Sequence, residues 1–147
     1  MKIERYLLLY IMMLVLASCA VEPQPIEYGK DACHFCKMNI VDKQHGAEFV
    51  TKKGKVYKFD AVECLLDELK EQNLGEIKFL LVNTYDAPTE LIDAEKITYL
   101  ISENLPSPMG AYLTAFEKHD AAMAVQKEKG GTLYNWEALN LEYYKNK

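Results

Sequence analysis

The sequence lacks the short motifs that mark common catalytic sites. It has no G-x-S-x-G nucleophile motif, no glycine-rich phosphate loop and no H-E-x-x-H metalloprotease motif. Histidine is scarce, and no two of His34, His45 and His119 have the spacing of a metal-binding pair. The chain is acidic, with a formal net charge of −5, and has no long basic stretch. These absences argue against an enzyme and against a nucleic-acid-binding protein.

An apolar run near the N-terminus is too short to cross a membrane as a helix. Residues 6–17 form this run, whereas a spanning helix needs about 20 residues. Lys2 and Arg5 precede it and the tetrapeptide L-A-S-C, ending at Cys19, follows it, which is typical of an export signal. The tetrapeptide resembles a bacterial lipobox, so we expect residues 1–18 to be removed and Cys19 to be lipidated. This predicts a protein anchored on the periplasmic side of a bacterial membrane; an ordinary signal peptide or an N-terminal anchor helix is the alternative.

The rest of the chain divides into a short tether and one larger region. Residues 19–30 contain Pro23 and Pro25 and show no apolar periodicity, which predicts a stiff, extended tether. Residues 31–147 are long enough for one domain with its own core. We divide this domain into two modules, at about 31–95 and 96–147.

Turn signals and apolar spacing predict alternating strands and helices after residue 46. The predicted strands are 47–51, 56–59, 77–82 (a central strand), 97–101, 112–116 and 132–134. The predicted helices are one that begins after Asp60, a second at 120–129 closed by Gly130 and Gly131, and a final helical turn at 135–139. In the first helix the apolar residues at helical spacing predict one buried face, formed by Val62, Leu65, Leu66 and Leu69. Asp60 and Glu63 have the spacing of a capping box. The fold class is therefore α+β, with antiparallel strands and helices packed on them.

Sulfur ligands are concentrated in the segment C-H-F-C-K-M that begins at Cys33. The thiols of Cys33 and Cys36 and the thioether of Met38 lie within it. Sulfur ligands favour soft metal ions, copper(I) above all. When the cysteine expected to be lipidated is set aside, Cys64 is the third thiol of the chain. An odd number of thiols leaves at least one free, metal-bound or in an intermolecular disulfide. The segment therefore predicts a soft-metal site.

Other interpretations of these residues stay open. Cys33 and Cys36 have the spacing of a structural disulfide or a thioredoxin-like redox pair. Zinc could take the cysteines with a histidine, although the second half of a zinc-finger motif is absent. The C-x-x-C-K sequence resembles a variant haem attachment motif but lacks the usual axial histidine. Met38 and Met109 could pack in the core, and Cys64 could be a buried inert thiol.

The order of several short motifs resembles the NosL family, the accessory lipoproteins of nitrous-oxide reductase. The matching elements, from about residue 16 to residue 139, are the lipobox at Cys19, C-x-x-C-x-M from Cys33, Gly54 with Y-K-F-D from Tyr57, Cys64, P-M-G from Pro108, Ala115-Phe116, the helix from Asp120 and the pair Gly130-Gly131. The resemblance implies a fold of two β-β-α-β modules. It also implies a periplasmic, membrane-anchored copper(I) metallochaperone for the copper–sulfide cluster of nitrous-oxide reductase. Such a protein would work beside an ABC-type transporter complex and a periplasmic solenoid protein.

The resemblance also implies a ligand set that joins the two modules. The expected copper ligands are Cys36, Met38 and Met109 with Cys33 as the fourth, and the auxiliary candidates are Cys64 and His34. Methionine binds without losing a proton, whereas a thiol must be deprotonated to bind. The resulting hypothesis is a copper chaperone and not an enzyme. A lipid-anchored thiol–disulfide redox protein using Cys33 and Cys36, and a metal-free interaction module, are the alternatives.

Overall fold

The computed structural model describes residues 20–145. The predicted signal segment and Cys19 lie outside the described residues. In this range the strands are β1 (Ala47–Thr51), β2 (Val56–Phe59), β3 (Ile77–Val82), β4 (Ile92–Asp93), β5 (Thr98–Ile101), β6 (Leu113–Phe116) and β7 (Thr132–Tyr134). The α-helices are α1 (Val62–Leu69), α2 (His119–Lys129) and α3 (Trp136–Lys145), and short 3-10 helices occur at Leu74–Glu76 and Ala94–Lys96. Across residues 20–145, every helix is too short or too polar to span a bilayer.

The strands form two antiparallel sheets with the same topology. In the first sheet the order is β2-β1-β3-β4, and in the second it is β6-β5-β7. In each, the first strand lies between the second and third, and a helix connects the second strand to the third. Strand β4 extends the first sheet beyond β3. Strand β1 is buried on both faces, since the four consecutive residues Ala47 to Val50 are all buried and successive side chains point to opposite faces. The predicted α+β fold of two β-β-α-β modules is confirmed.

Helix α1 lies between the two modules and helps to build a shared core. It packs against β1 and β2 of the first sheet and against β6 of the second. Val62, Leu65, Leu66 and Leu69, predicted as its buried face, are all buried. The same core includes Tyr99 from the second sheet. Burying each large apolar side chain contributes roughly 1.5–3 kcal/mol, so the modules stabilise one another through α1.

The predicted capping box at the start of α1 is wrong. The N-cap residue is Ala61, which is still extended at φ −149° and ψ 159° and makes no side-chain cap hydrogen bond. Asp60 and Glu63 are both buried instead, 4% and 2% exposed. The Glu63 carboxylate accepts a hydrogen bond from Ser107 Oγ in the second module. A long-range contact therefore replaces the local cap.

Two further elements differ from the prediction by more than one residue. Strand β4 was not predicted, because two residues are too few to show a period of two. Helix α3 continues to Lys145, well past the predicted turn at 135–139, and buries Leu139 and Tyr143.

The predicted tether is attached to the first sheet. Lys78 Nζ donates to the Val21 carbonyl at 3.1 Å, and the Gln24 N–H donates to the Glu48 carboxylate at 3.0 Å. Ile26 is only 7% exposed and belongs to the core. Residues 21–26 thus form neither helix nor strand, but these hydrogen bonds and the burial of Ile26 hold them along the sheet.

Candidate metal centre

A tight loop brings Cys33 and Cys36 together. The Cys33 N–H donates to the Met38 carbonyl at 2.8 Å, and the Lys37 N–H donates to the Cys33 carbonyl at 3.0 Å. Lys37 reverses the chain in the left-handed region, at φ 67°, where non-glycine residues are uncommon. The Cys36 N–H then donates to Cys33 Sγ at 3.4 Å. The loop therefore places both thiols on the same side.

The loop is fixed to the end of β2, where α1 is about to begin. The His34 N–H donates to the Lys58 carbonyl at 2.8 Å. Lys58 Nζ pairs with Asp31 Oδ2 at 2.7 Å, and both side chains are largely buried. The backbone N–H of Asp60 donates to Cys33 Sγ. Cys33 is thus held against the junction between β2 and α1.

Cys64 completes a cluster of three thiols. It lies in the first turn of α1. The Sγ atoms of Cys33, Cys36 and Cys64 all lie within 4.8 Å of one another, and none of the three is in a disulfide. Cys33 and Cys64 are each 1% exposed, whereas Cys36 is half-buried. Solvent reaches this cluster, which we call the thiol cluster, through Cys36.

Hydrogen bonds inside the thiol cluster separate the three pKa values. The Cys64 S–H donates to Cys33 Sγ and, with the N–H groups of Asp60 and Cys36, lowers the pKa of Cys33 to about 5, against the opposing effect of burial. The same bond, together with burial, raises the pKa of Cys64. Burial and the neighbouring Cys33 raise the pKa of Cys36. At neutral pH the cluster therefore holds one thiolate, at Cys33, and two thiols.

The cluster suits a soft metal ion in a three-coordinate site. A metal–sulfur bond of about 2.3 Å in a trigonal plane separates the sulfur atoms by about 4 Å, which is within the observed limit of 4.8 Å. Thiolate ligands select copper(I), zinc or iron–sulfur chemistry over hard cations. Burial and the Cys33 charge raise the pKa of Asp60, so negative charge is already unfavourable here. A bound cation would offset that charge.

The two predicted methionine ligands are both on the surface. Met38 is 47% exposed and Met109 is 38% exposed, so neither is a fully packed core residue. The Met38 backbone N–H donates to Cys36 Sγ, which places residue 38 beside the thiol cluster. The role of both thioethers as ligands stays a prediction.

The Met109 loop is attached to α1 beside Cys64. Ser107 Oγ donates to Glu63 Oε1 and accepts from the Leu113 N–H at 3.2 Å. The Gly110 N–H donates to the Ser107 carbonyl at 3.0 Å, which closes a turn around Met109. Burial raises the pKa of Glu63 and favours its neutral form, against the opposing effect of the hydrogen bond from Ser107. Because Glu63 precedes Cys64, this contact connects the second module to the helix that carries the third thiol.

The His34 side chain contacts β2 and α1. Its ring packs edge-on against Tyr57, with centroids 4.6 Å apart, and its Nε2 lies 3.8 Å from Glu68 Oε1. Within residues 20–145, the cluster of close metal-binding atoms contains the three cysteines and does not include this ring. The auxiliary role of His34 stays a prediction.

The sequence identified Cys33 and Cys36 but gave Cys64 only an auxiliary role. The structure gives Cys64 the same place in the cluster as the other two. It also reveals two supporting groups that were not predicted, the Asp60 N–H and the Glu63 carboxylate. The signals available in the sequence were the odd thiol count and the position of Cys64 five residues after the end of β2.

The two-module α+β fold and its buried three-thiol cluster define a class of small proteins equipped to hold a soft metal ion through sulfur. The family model NosL matches residues 25–144, and the chain belongs to the NosL family. The structure is similar to that of the copper chaperone NosL from Shewanella denitrificans, with a TM-score of 0.68 and 22% identity. That match covers 81% of this chain and 96% of the other, and it establishes the fold. No curated protein matches the sequence.

Proposed function

We propose that the protein is a copper(I) metallochaperone. The observation that supports this most directly is the thiol cluster, in which two buried sulfur atoms and one accessible sulfur atom lie within 4.8 Å of one another. A low-coordinate sulfur site holds a soft ion while leaving room for an incoming ligand. Partial exposure at Cys36 provides the route by which a recipient's ligand enters. The solved relative is itself described as a copper chaperone.

We further propose the cellular setting. Cys19 is lipidated and anchors the protein on the periplasmic side of a bacterial membrane. Its copper is delivered for assembly of the copper site of nitrous-oxide reductase, with an ABC-type transporter complex as an assembly partner. Membership of the NosL family and the lipobox-like sequence that ends at Cys19 support this setting.

Copper binding is tested by titrating the reduced protein with copper(I) against a chromophoric chelator. We expect tight one-to-one binding, and a Cys36→Ser/Met109→Ala double variant is expected to bind more than about 100-fold more weakly, since even outer-shell partners of a metal contribute 10–100-fold. Met123→Ala is the matched control, because Met123 is similarly exposed, at 44%, but lies on α2. A double variant that binds like the wild type would rule out this site.

Delivery requires a separate test in cells. Nitrous-oxide reductase purified from cells that carry only the Cys36→Ser variant is expected to contain less copper than enzyme from wild-type cells. The Met123→Ala strain serves as the control. Unchanged copper content in the Cys36→Ser strain would contradict delivery to this client.

Copper affinity is expected to rise steeply with pH. The Cys33 pKa of about 5 keeps that thiol ionised at neutral pH, whereas the raised pKa values of Cys36 and Cys64 keep those two protonated. Binding by three thiolates then expels two protons, so apparent affinity increases about 100-fold per pH unit near neutrality. The proton release is measured by calorimetry in buffers of different ionisation enthalpy. Release of two protons supports the three-thiolate site, and release of none contradicts it.

A thiol–disulfide redox protein is the second candidate function. The low pKa of Cys33 favours it, because the thiolate is the reactive form. Cys33 is only 1% exposed, however, so a client disulfide could reach Cys36 but not Cys33. A reversible Cys33–Cys36 disulfide coupled to a reductase, without copper binding, would support this function instead.

A further inference from the structure

Three exposed lysines lie together at one end of the first sheet. Lys52, Lys53 and Lys55 flank Gly54 in the turn between β1 and β2, and we call this turn the lysine hairpin. Among residues 20–145, none of the three forms an ion pair. Lys55 Nζ lies over the Tyr57 ring, 4.4 Å from its centroid, so its charge is not neutralised by that contact. The turn is therefore a positive patch on a chain whose formal net charge is −5.

The polypeptide leaves the fold beside this patch. Lys78 Nζ donates to the Val21 carbonyl at 3.1 Å, and a Cβ placed on Gly54 would lie 3.6 Å from Val21 Cγ2. Val21 is therefore held against the lysine hairpin. Cys19 is two residues earlier, and two residues span at most about 7 Å. A lipid attached to Cys19 must enter its bilayer close to the hairpin.

We propose that the lysine hairpin, with Lys78, binds the anionic headgroups of the membrane that holds the lipid anchor. This proposal rests on the lipid anchor in the proposed function. Lysines near an anionic bilayer are attracted to it within a Debye length, whereas the acidic remainder of the chain is repelled. Glu22 and Glu76 are nearby acidic residues, and the four lysines outnumber them. The acyl chains supply the attachment and the lysines supply the orientation.

This orientation has a consequence for the metal site. Strand β2 runs from the lysine hairpin to Phe59, and the next residue, Asp60, donates its N–H to Cys33 Sγ. Four strand residues span about 13 Å. The thiol cluster therefore lies at the end of the first sheet that points away from the bilayer, where a soluble copper acceptor can approach Cys36.

The test compares the mature lipoprotein in vesicles of phosphatidylcholine alone with vesicles that also contain phosphatidylglycerol. Amine acetylation followed by mass spectrometry reports the accessibility of each lysine. The attraction of one lysine to an anionic surface favours the membrane-bound position about fivefold. A lysine bound there is protected from the reagent, so we expect Lys52, Lys53 and Lys55 to be labelled about fivefold more slowly in the anionic vesicles. High salt should remove the difference. Lys127 and Lys129, on α2, are the internal controls and should be labelled equally in both.

A variant without the hairpin charges distinguishes loss of membrane orientation from a change in the fold. In a Lys52→Gln/Lys53→Gln/Lys55→Gln lipoprotein, amide hydrogen exchange of residues 51–56 should become the same in both kinds of vesicle, with copper affinity unchanged. Equal labelling of the wild-type hairpin lysines in the two vesicles would overturn the proposal. Intact-mass measurement of the acyl chains and the copper titration report separately on the lipid anchor and on the proposed function.

Discussion

Replacing Cys33 with serine is expected to lower copper(I) affinity by more than about 100-fold, the upper end of what outer-shell partners of a metal contribute. Cys33 carries the thiolate of the cluster, because the Cys64 S–H and the N–H groups of Asp60 and Cys36 all donate to its sulfur. A serine hydroxyl is a hard oxygen ligand and stays protonated at neutral pH. The variant therefore loses both a soft ligand and the most acidic thiol of the cluster.

The measurement is competition for copper(I) against a chromophoric chelator, with thermal unfolding as a check of the fold. Serine fits the space of cysteine, so the 1% exposed position should remain packed. Cys64→Ser, at an equally buried position, is the matched comparison and should also weaken binding. Wild-type affinity in Cys33→Ser would show that copper, if bound, is held elsewhere.

Replacing Gly131 with alanine is expected to destabilise the fold by about 2–5 kcal/mol, the sum of a left-handed backbone and an overpacked contact. Gly131 has φ +98°, and a Cβ there would clash with the Ile101 carbonyl oxygen and lie 2.9 Å from Ser102 Cα. Both obstacles are backbone atoms of or next to β5, the central strand of the second sheet. Since Thr132 pairs with Ile101, accommodating the methyl group requires β7 to move away from β5.

Urea denaturation measures this loss directly. Gly110→Ala is the matched control, since Gly110 also has a positive φ, +76°, but a Cβ there meets no atom within 4 Å. Gly110→Ala should lower the free energy of unfolding by only about 1–2 kcal/mol, the cost of a left-handed backbone conformation at alanine. Equal destabilisation by the two substitutions would contradict the predicted clash at Gly131.

Local pattern was sufficient to predict most of the secondary structure. β1, β2, β3 and β7 have the predicted bounds, because alternation or apolar runs between turn residues are properties of a few adjacent residues. The buried face of α1 was predicted because its apolar residues recur at helical spacing. The two-residue strand β4 carries too little pattern to detect.

The site was predicted only in part because its remaining contacts are long-range. Cys33 and Cys36 are close in sequence, and their spacing indicates a shared site. Cys64 joins them because the loop is fixed to Lys58 and Asp60 at the end of β2, and α1 begins immediately afterwards. The proximity of Cys64 to the other two cysteines therefore cannot be predicted from a local sequence pattern. Likewise, the Glu63–Ser107 hydrogen bond joins residues of different modules and displaced the capping box that the spacing predicted.

Copper K-edge X-ray absorption on the copper(I)-loaded protein tests directly whether the thiol cluster is the copper site. We expect three sulfur neighbours at about 2.3 Å, as for metal–thiolate bonds, and only two in Cys64→Ser. A sulfur count that stays the same in Cys64→Ser, or a first shell dominated by nitrogen or oxygen, would contradict this assignment.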